Sequence, residues 1–209
     1  MKQTGCWLAV GILLFVLHPA AAQNPLSRFS TAWNNAAYKK ANTAAKANYL
    51  DAKEKQVIYI LNLARMNPVL FANTVVPKFP ARIGDDNLSK HRDYLSLLAT
   101  LKKTKPLPIL YPDSLCWVSA NCHAVSSGEA SYEGHDRINI ICEEKSHFSA
   151  ECCHYGYSDA LDVVVSLLID EDVPSLGHRE ILLMQRLTKV GVAFAPHKEY
   201  GVNTVLDFD

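Results

Sequence analysis

The run Val190-Gly191-Val192-Ala193-Phe194, followed after a polar segment by Val202-Asn203-Thr204-Val205-Leu206-Asp207-Phe208, decides the fold class. Both stretches are rich in β-branched and aromatic residues, which suit a pleated, half-buried surface. Residues 196–200 between them, beginning at Pro196, carry turn chemistry, so the pair reads as two strands joined by a short connection. Upstream the apolar spacing is that of helices. Helices through the first three quarters and strands in the last fit an α+β layered domain better than a doubly wound sheet, in which the two alternate.

Working back from the strands, residues 159–169 are strongly apolar with helical period, and 177–183 form a shorter helical stretch. Asp113-Ser114 caps a helix in which Leu115, Val118 and Cys122 fall on one side, and a loop is expected over 126–133. Residues 94–103 keep helical spacing through Leu95, Leu98 and Leu101, closed by Pro106 and Pro108. Asp51-Ala52-Lys53-Glu54 is a capping box opening a helix whose Val57, Ile58, Leu61 and Ala64 make one buried face. Asn67-Pro68 ends that helix, since the residue before proline avoids helical backbone; a second helical stretch follows to residue 76. Residues 23–50, rich in Ala, Asn and Lys, read as a partly helical, loosely packed arm.

The first 22 residues have the form of a secretory signal: Lys2, an apolar stretch over 8–17, and Ala20-Ala21-Ala22 before Gln23. That stretch is about half of the ~20 residues a membrane span needs, so no transmembrane anchor is expected. The expected organisation is a signal peptide (1–22), an arm (23–50) and one domain (51–209), secreted or periplasmic. With 21 basic and 21 acidic residues and no basic stripe, nucleic-acid binding has no electrostatic support. Of six cysteines, Cys6 falls in the signal. The remaining five permit at most two internal bridges, whose connectivity the sequence does not give.

Two dipeptides stand out, Gly134-His135 and Gly177-His178, with Glu151 between them. Two imidazoles and a carboxylate can converge on a divalent cation or on a proton-transfer site. Other chemistry is weaker. Cys152 and Cys153 lie beside His154, but sequence neighbours rarely point at one another, and no Gly-x-Ser-x-Gly elbow is present. His123 reads as a packed or surface histidine, His147 and His197 as solvated turn residues. Arg137 and Arg179 read first as structural ion pairs and second as partners of a cleft carboxylate or an anion.

Taken in order, these segments resemble the CAP superfamily (SCP-like: cysteine-rich secretory, antigen 5 and pathogenesis-related proteins), in its bacterial secreted branch. The residues that carry the resemblance are Glu54-Lys55 through Asn67-Pro68, Gly134-His135-Asp136-Arg137, Ala150-Glu151-Cys152, Leu167 to Asp170 with Val173-Pro174, Gly177-His178-Arg179, and the two closing strands. The resemblance runs from about residue 42 to residue 209.

The resemblance implies a three-layer α-β-α sandwich with a central antiparallel sheet. It implies a cleft where His135, Glu151, Asp170 and His178 hold zinc or another divalent cation. Asp170 stands where the family often has Glu, and Cys152-Cys153 where Asn and Ile are usual. Family members bind lipid or sterol or other proteins, and a few are proteolytic. The expectation is thus a binding or interaction module, more a non-enzyme than an enzyme. The alternative is a metal-dependent extracytoplasmic hydrolase.

Overall fold

The computed structural model of the chain describes residues 23–209, and the expected signal peptide lies outside them. Those residues form an α+β fold: α1 (Ala52–Met66), α2 (Pro68–Thr74), α3 (Phe79–Ile83), α4 (Arg92–Lys103), β1 (Tyr111–Pro112), α5 (Ser114–Ala130), α6 (Ile140–Glu144), β2 (Ala150–Tyr155), α7 (Ala160–Ile169), α8 (Gly177–Leu182), β3 (Lys189–His197) and β4 (Gly201–Phe208).

The sheet has the order β1-β3-β4-β2. β3 and β4 pair antiparallel as a hairpin, and β2 pairs antiparallel with β4. The expected wholly antiparallel sheet needs correcting, because β1 runs parallel to β3. The chain passes along β3 before entering α5, and Tyr111 N and Asp113 N donate to Thr188 O and Val190 O.

Side chains alternate across this sheet and meet helices on both faces. Ala193, Ala195 and Val205 pack with Ala120 and Ala124 of α5. A Cβ on Gly191 would stand 2.0 Å from the backbone N of Trp117, so only glycine lets α5 lie this close to β3. Val190, Val192, Leu206 and Phe208 belong instead to the main core, with the apolar residues of α1 and α7. α5 runs to Ala130, past the loop expected from residue 126. Its last turns are held to β4, where Asn203 Nδ2 donates to Ala124 O and Ser127 Oγ.

α1 is tied in by two buried polar residues. Asn62 exchanges hydrogen bonds with the backbone of Leu110. Arg65, fully buried, donates to the carbonyls of Pro108, Leu182, Met184 and Leu187, which fixes the chain before β1 and after α8. Burial lowers its guanidinium to about 10. The expected capping box is present, with Asp51 and Glu54 each accepting the other's backbone N–H.

The arm over 23–50 is not loosely packed. Leu26, Trp33, Ala41, Ala44 and Leu50 are buried in the main core, and Trp33 Nε1 donates to Thr74 Oγ1 at 3.0 Å. Its turns are 3₁₀ rather than α-helical. Among the described residues one disulfide, Cys122–Cys142, joins α5 to α6, and Cys116, Cys152 and Cys153 are buried free thiols. No helix among the described residues is long and apolar enough to cross a membrane.

Candidate functional site

His135 owes its position to the glycine before it. Gly134 takes φ +141°, and a Cβ there would meet the Tyr132 hydroxyl at 2.7 Å. Its N–H donates to the Tyr155 hydroxyl at 3.0 Å. From this turn His135 places Nδ1 2.9 Å from Oε1 of Glu151, which projects from β2 and is buried. Arg137 holds the other oxygen of Glu151 and also reaches Asp207 at 3.4 Å.

His178 is held by a matching device. Asp170 ends α7 in the left-handed conformation (φ 56°), which turns its carboxylate back toward the start of α8. Its Oδ2 accepts the backbone N–H groups of His178 and Arg179 at 2.9 and 3.2 Å, supplying the cap that Leu176 cannot. Its Oδ1 lies 2.7 Å from His178 Nδ1. Arg179 is buried, with its guanidinium on the carbonyls of Leu168, Ile169 and Asp93 and on Ser96 Oγ.

The two imidazoles converge, with ring centroids 6.3 Å apart. His135, Asp170 and His178 line one cavity of about 470 Å³, and Glu151 lies behind His135 rather than on the wall. All four residues singled out in the sequence therefore meet, but as two facing histidine–carboxylate pairs rather than a ring of four ligands. Each carboxylate takes an Nδ1. Neither Nε2 has a hydrogen-bond partner among the described residues.

No family model, curated protein or solved structure matches this chain. The chemistry of the cavity is therefore read from its own residues.

Among the described residues, three groups of side chains have ligand atoms close enough to hold a metal ion: His123 with Glu151 and Cys153, His91 with Asp93 and Asp172, and Asp113 with Cys116 and His147. The cavity wall adds a third histidine that sequence reasoning passed over. His154 of β2 is buried, stacked on Tyr157 at 5.3 Å, and its Nδ1 has no partner among the described residues. Burial, with the nearby His178, lowers it to about 4, so it stands neutral beside the cavity. Four carboxylates also line the wall, from Glu133, Asp170, Glu171 and Asp172, and the wall carries no lysine or arginine.

Behind the cavity the charges are tightly coupled. Burial lifts Glu151, but hydrogen bonds from His135 and Arg137 outweigh it and hold the carboxylate well below its usual range. Burial and the Glu151 charge push Asp207 far above its own. The hydrogen bond to Glu151 raises His135. Burial raises the Cys153 thiol, which leaves no free thiolate for a nucleophile.

Of the remaining histidines, His197 departs from expectation. His197 is a buried turn residue, its Nδ1 accepting from the backbone of Glu199 and Tyr200 and its Nε2 facing Tyr132 O. His123 is fully buried in α5, with Nε2 3.0 Å from Gly134 O. His147 is exposed, as expected.

Proposed function

We propose that this chain is a secreted or periplasmic CAP-like domain in a three-layer α-β-α arrangement, acting as a binding module through the His135/Glu151/Asp170/His178 cleft. His135 and His178 would hold a divalent cation, zinc by donor type, through Nε2. The observation that carries this reading is the pair of bare Nε2 atoms, each on a ring whose Nδ1 is fixed by a buried carboxylate. That second contact sets the tautomer that leaves Nε2 as a metal-binding lone pair.

The residues fit such an ion. Neutral imidazoles are good zinc ligands, and the acidic wall draws cations toward them. A cation held by two side chains keeps coordination positions for a ligand group. Leu167, Val173 and Tyr155 supply the large apolar surface of a wall otherwise dominated by histidines and acids. That balance supports a polar partner, a protein or peptide segment, over a lipid or sterol. The metal-dependent hydrolase stays the alternative, because an imidazole fixed by a carboxylate is also a general base.

Zinc analysis of purified wild type, His178→Ala and His135→Ala/His178→Ala protein tests the reading. Wild type should bind a cation that His178→Ala binds at least tenfold more weakly. Equal zinc retention in all three proteins would remove the proposed site. Turnover of a peptide substrate that His178→Ala abolishes would favour the hydrolase.

A further inference from the structure

Behind His135, between α5 and β2, lies a second set of donor atoms, which shares Glu151 Oε1 with the His135 pair. His123 Nε2, Glu151 Oε1 and Cys153 Sγ stand within 4.8 Å of one another, and all three residues are buried. Cys153 Sγ is 3.7 Å from Glu151 Oε1, and His123 Nε2 is 4.0 Å from the same oxygen. The Gly134 carbonyl adds a fourth donor, 3.0 Å from His123 Nε2 and 3.6 Å from Cys153 Sγ. Ligands around a tetrahedral zinc, with bonds of about 2.0–2.3 Å, stand roughly 3.3–3.8 Å apart. The observed separations bracket that spacing.

We propose that His123, Glu151 and Cys153, with the Gly134 carbonyl, form a second, thiolate-containing zinc site buried beneath the cavity. Charge favours it. One thiolate and one carboxylate match the charge of a divalent cation, and the extra positive charge that Arg137 brings to Glu151 is balanced when Asp207 gives up its proton, so the buried assembly is neutral. Sulfur beside imidazole selects zinc over calcium or magnesium. On binding, the Cys153 S–H bond breaks and its proton leaves to solvent while the sulfur lone pair joins the metal. The His123 ring gives up the proton on Nε2 and carries one on Nδ1. That atom is buried and partnerless among the described residues, as is Ser119 Oγ one turn earlier on the same helix. His135 keeps its place, with Nδ1 2.9 Å from Glu151 Oε1 and 3.7 Å from Cys153 Sγ, donating to the ligands of the inner ion. The entry route is short, since Gly134, His135 and Cys153 all line the cavity.

This site goes beyond the cavity reading and does not rest on it. The test is cobalt(II) loading of the full chain after chelator treatment, followed by absorption. Wild type should show a thiolate-to-cobalt charge-transfer band in the near ultraviolet. The band should persist in His178→Ala and Cys152→Ser, vanish in Cys153→Ser, and require at least tenfold more cobalt in His123→Gln. A wild-type spectrum without the band, or a band that survives Cys153→Ser, overturns the inner site. Cobalt bound without the band and lost in His178→Ala would leave the cavity reading standing alone. A band with no effect of His178→Ala on any second equivalent would leave the inner site alone. Should Cys153→Ser not fold, zinc-edge X-ray absorption on wild type and Cys152→Ser decides. One sulfur at about 2.3 Å in both supports the site, and a shell of nitrogen and oxygen alone overturns it.

Discussion

Glu151 and Asp207 sit directly opposite one another on the antiparallel strands β2 and β4, both buried, with the Arg137 guanidinium against both carboxyls. Two carboxylates this close do not both ionise. Burial and the Glu151 charge push Asp207 up, and bonds from His135 and Arg137 hold Glu151 down, so the shared proton rests on Asp207.

That assignment predicts unequal responses to removing each charge. Asp207→Asn copies the protonated acid and should change stability by less than about 1 kcal/mol. Glu151→Gln leaves Arg137 facing no anion in a buried site and should cost about 3 kcal/mol. Urea unfolding at neutral pH measures both. Equal losses, or a larger loss for Asp207→Asn, would place the proton on the other residue.

Gly191 is where the two layers touch. A Cβ added there would lie 2.0–2.5 Å from the backbone of Cys116 and Trp117, which cannot swing aside as a side chain would. Gly191→Ala should therefore cost about 3 kcal/mol or more, well above an ordinary glycine-to-alanine change in a strand. A thermal midpoint within a few degrees of wild type would show that α5 is free to lift.

Asp170 performs two tasks with one carboxylate, capping α8 and orienting His178. Asp170→Ala loses both and adds a residue that tolerates φ > 0 poorly, so a loss of about 2–4 kcal/mol is expected. Asp170→Asn keeps an acceptor and a residue suited to the left-handed region, and should cost less than half as much. Chemical denaturation of the two variants ranks them, and the reverse order would contradict the capping role.

His154 gives the metal-free protein a pH dependence of known sign. Its folded pKa of about 4 lies below the ordinary 6.5, so the unfolded chain takes up the proton first as pH falls. Its contribution is complete above pH 6.5 and is lost between there and pH 4, by up to about 3 kcal/mol. His135, raised by Glu151, acts oppositely, contributing below its unfolded pKa and losing that as pH rises through the folded one. His154→Gln should flatten the fall in stability between pH 6.5 and 4, measured by unfolding in the presence of chelator. An unchanged slope would mean that His154 is not held neutral.

The hairpin and most helices were legible because each rests on local chemistry: β-branched strands, the Asp51/Glu54 capping box, the Asp113 cap, the break at Pro68. The two histidines were legible because each follows a glycine, and Gly134 at φ +141° has a backbone that other residues avoid. What escaped depends on tertiary partners. β2, Ala-Glu-Cys-Cys-His-Tyr, has no clean alternation because Cys153 packs among the alanines of α5 while the strand also meets α7 and α8. The arm looked loose because alanines carry little apolar weight until Trp33 finds its cavity. His154 and His123 carry no local signature; only β2 and α5 bring them to the site. The four residues singled out in the sequence meet as two pairs, an arrangement no sequence pattern gives, since which imidazole nitrogen meets which carboxylate is a matter of coordinates.

The central claim is that His135 and His178 offer Nε2 jointly to one cation. Long-range proton–nitrogen correlation of the imidazoles during zinc titration tests it most directly. The account predicts that both Nε2 resonances move together at the same zinc equivalent while both Nδ1 atoms keep their protons toward Glu151 and Asp170. Nε2 signals that stay still, or that respond at different zinc levels, would contradict it.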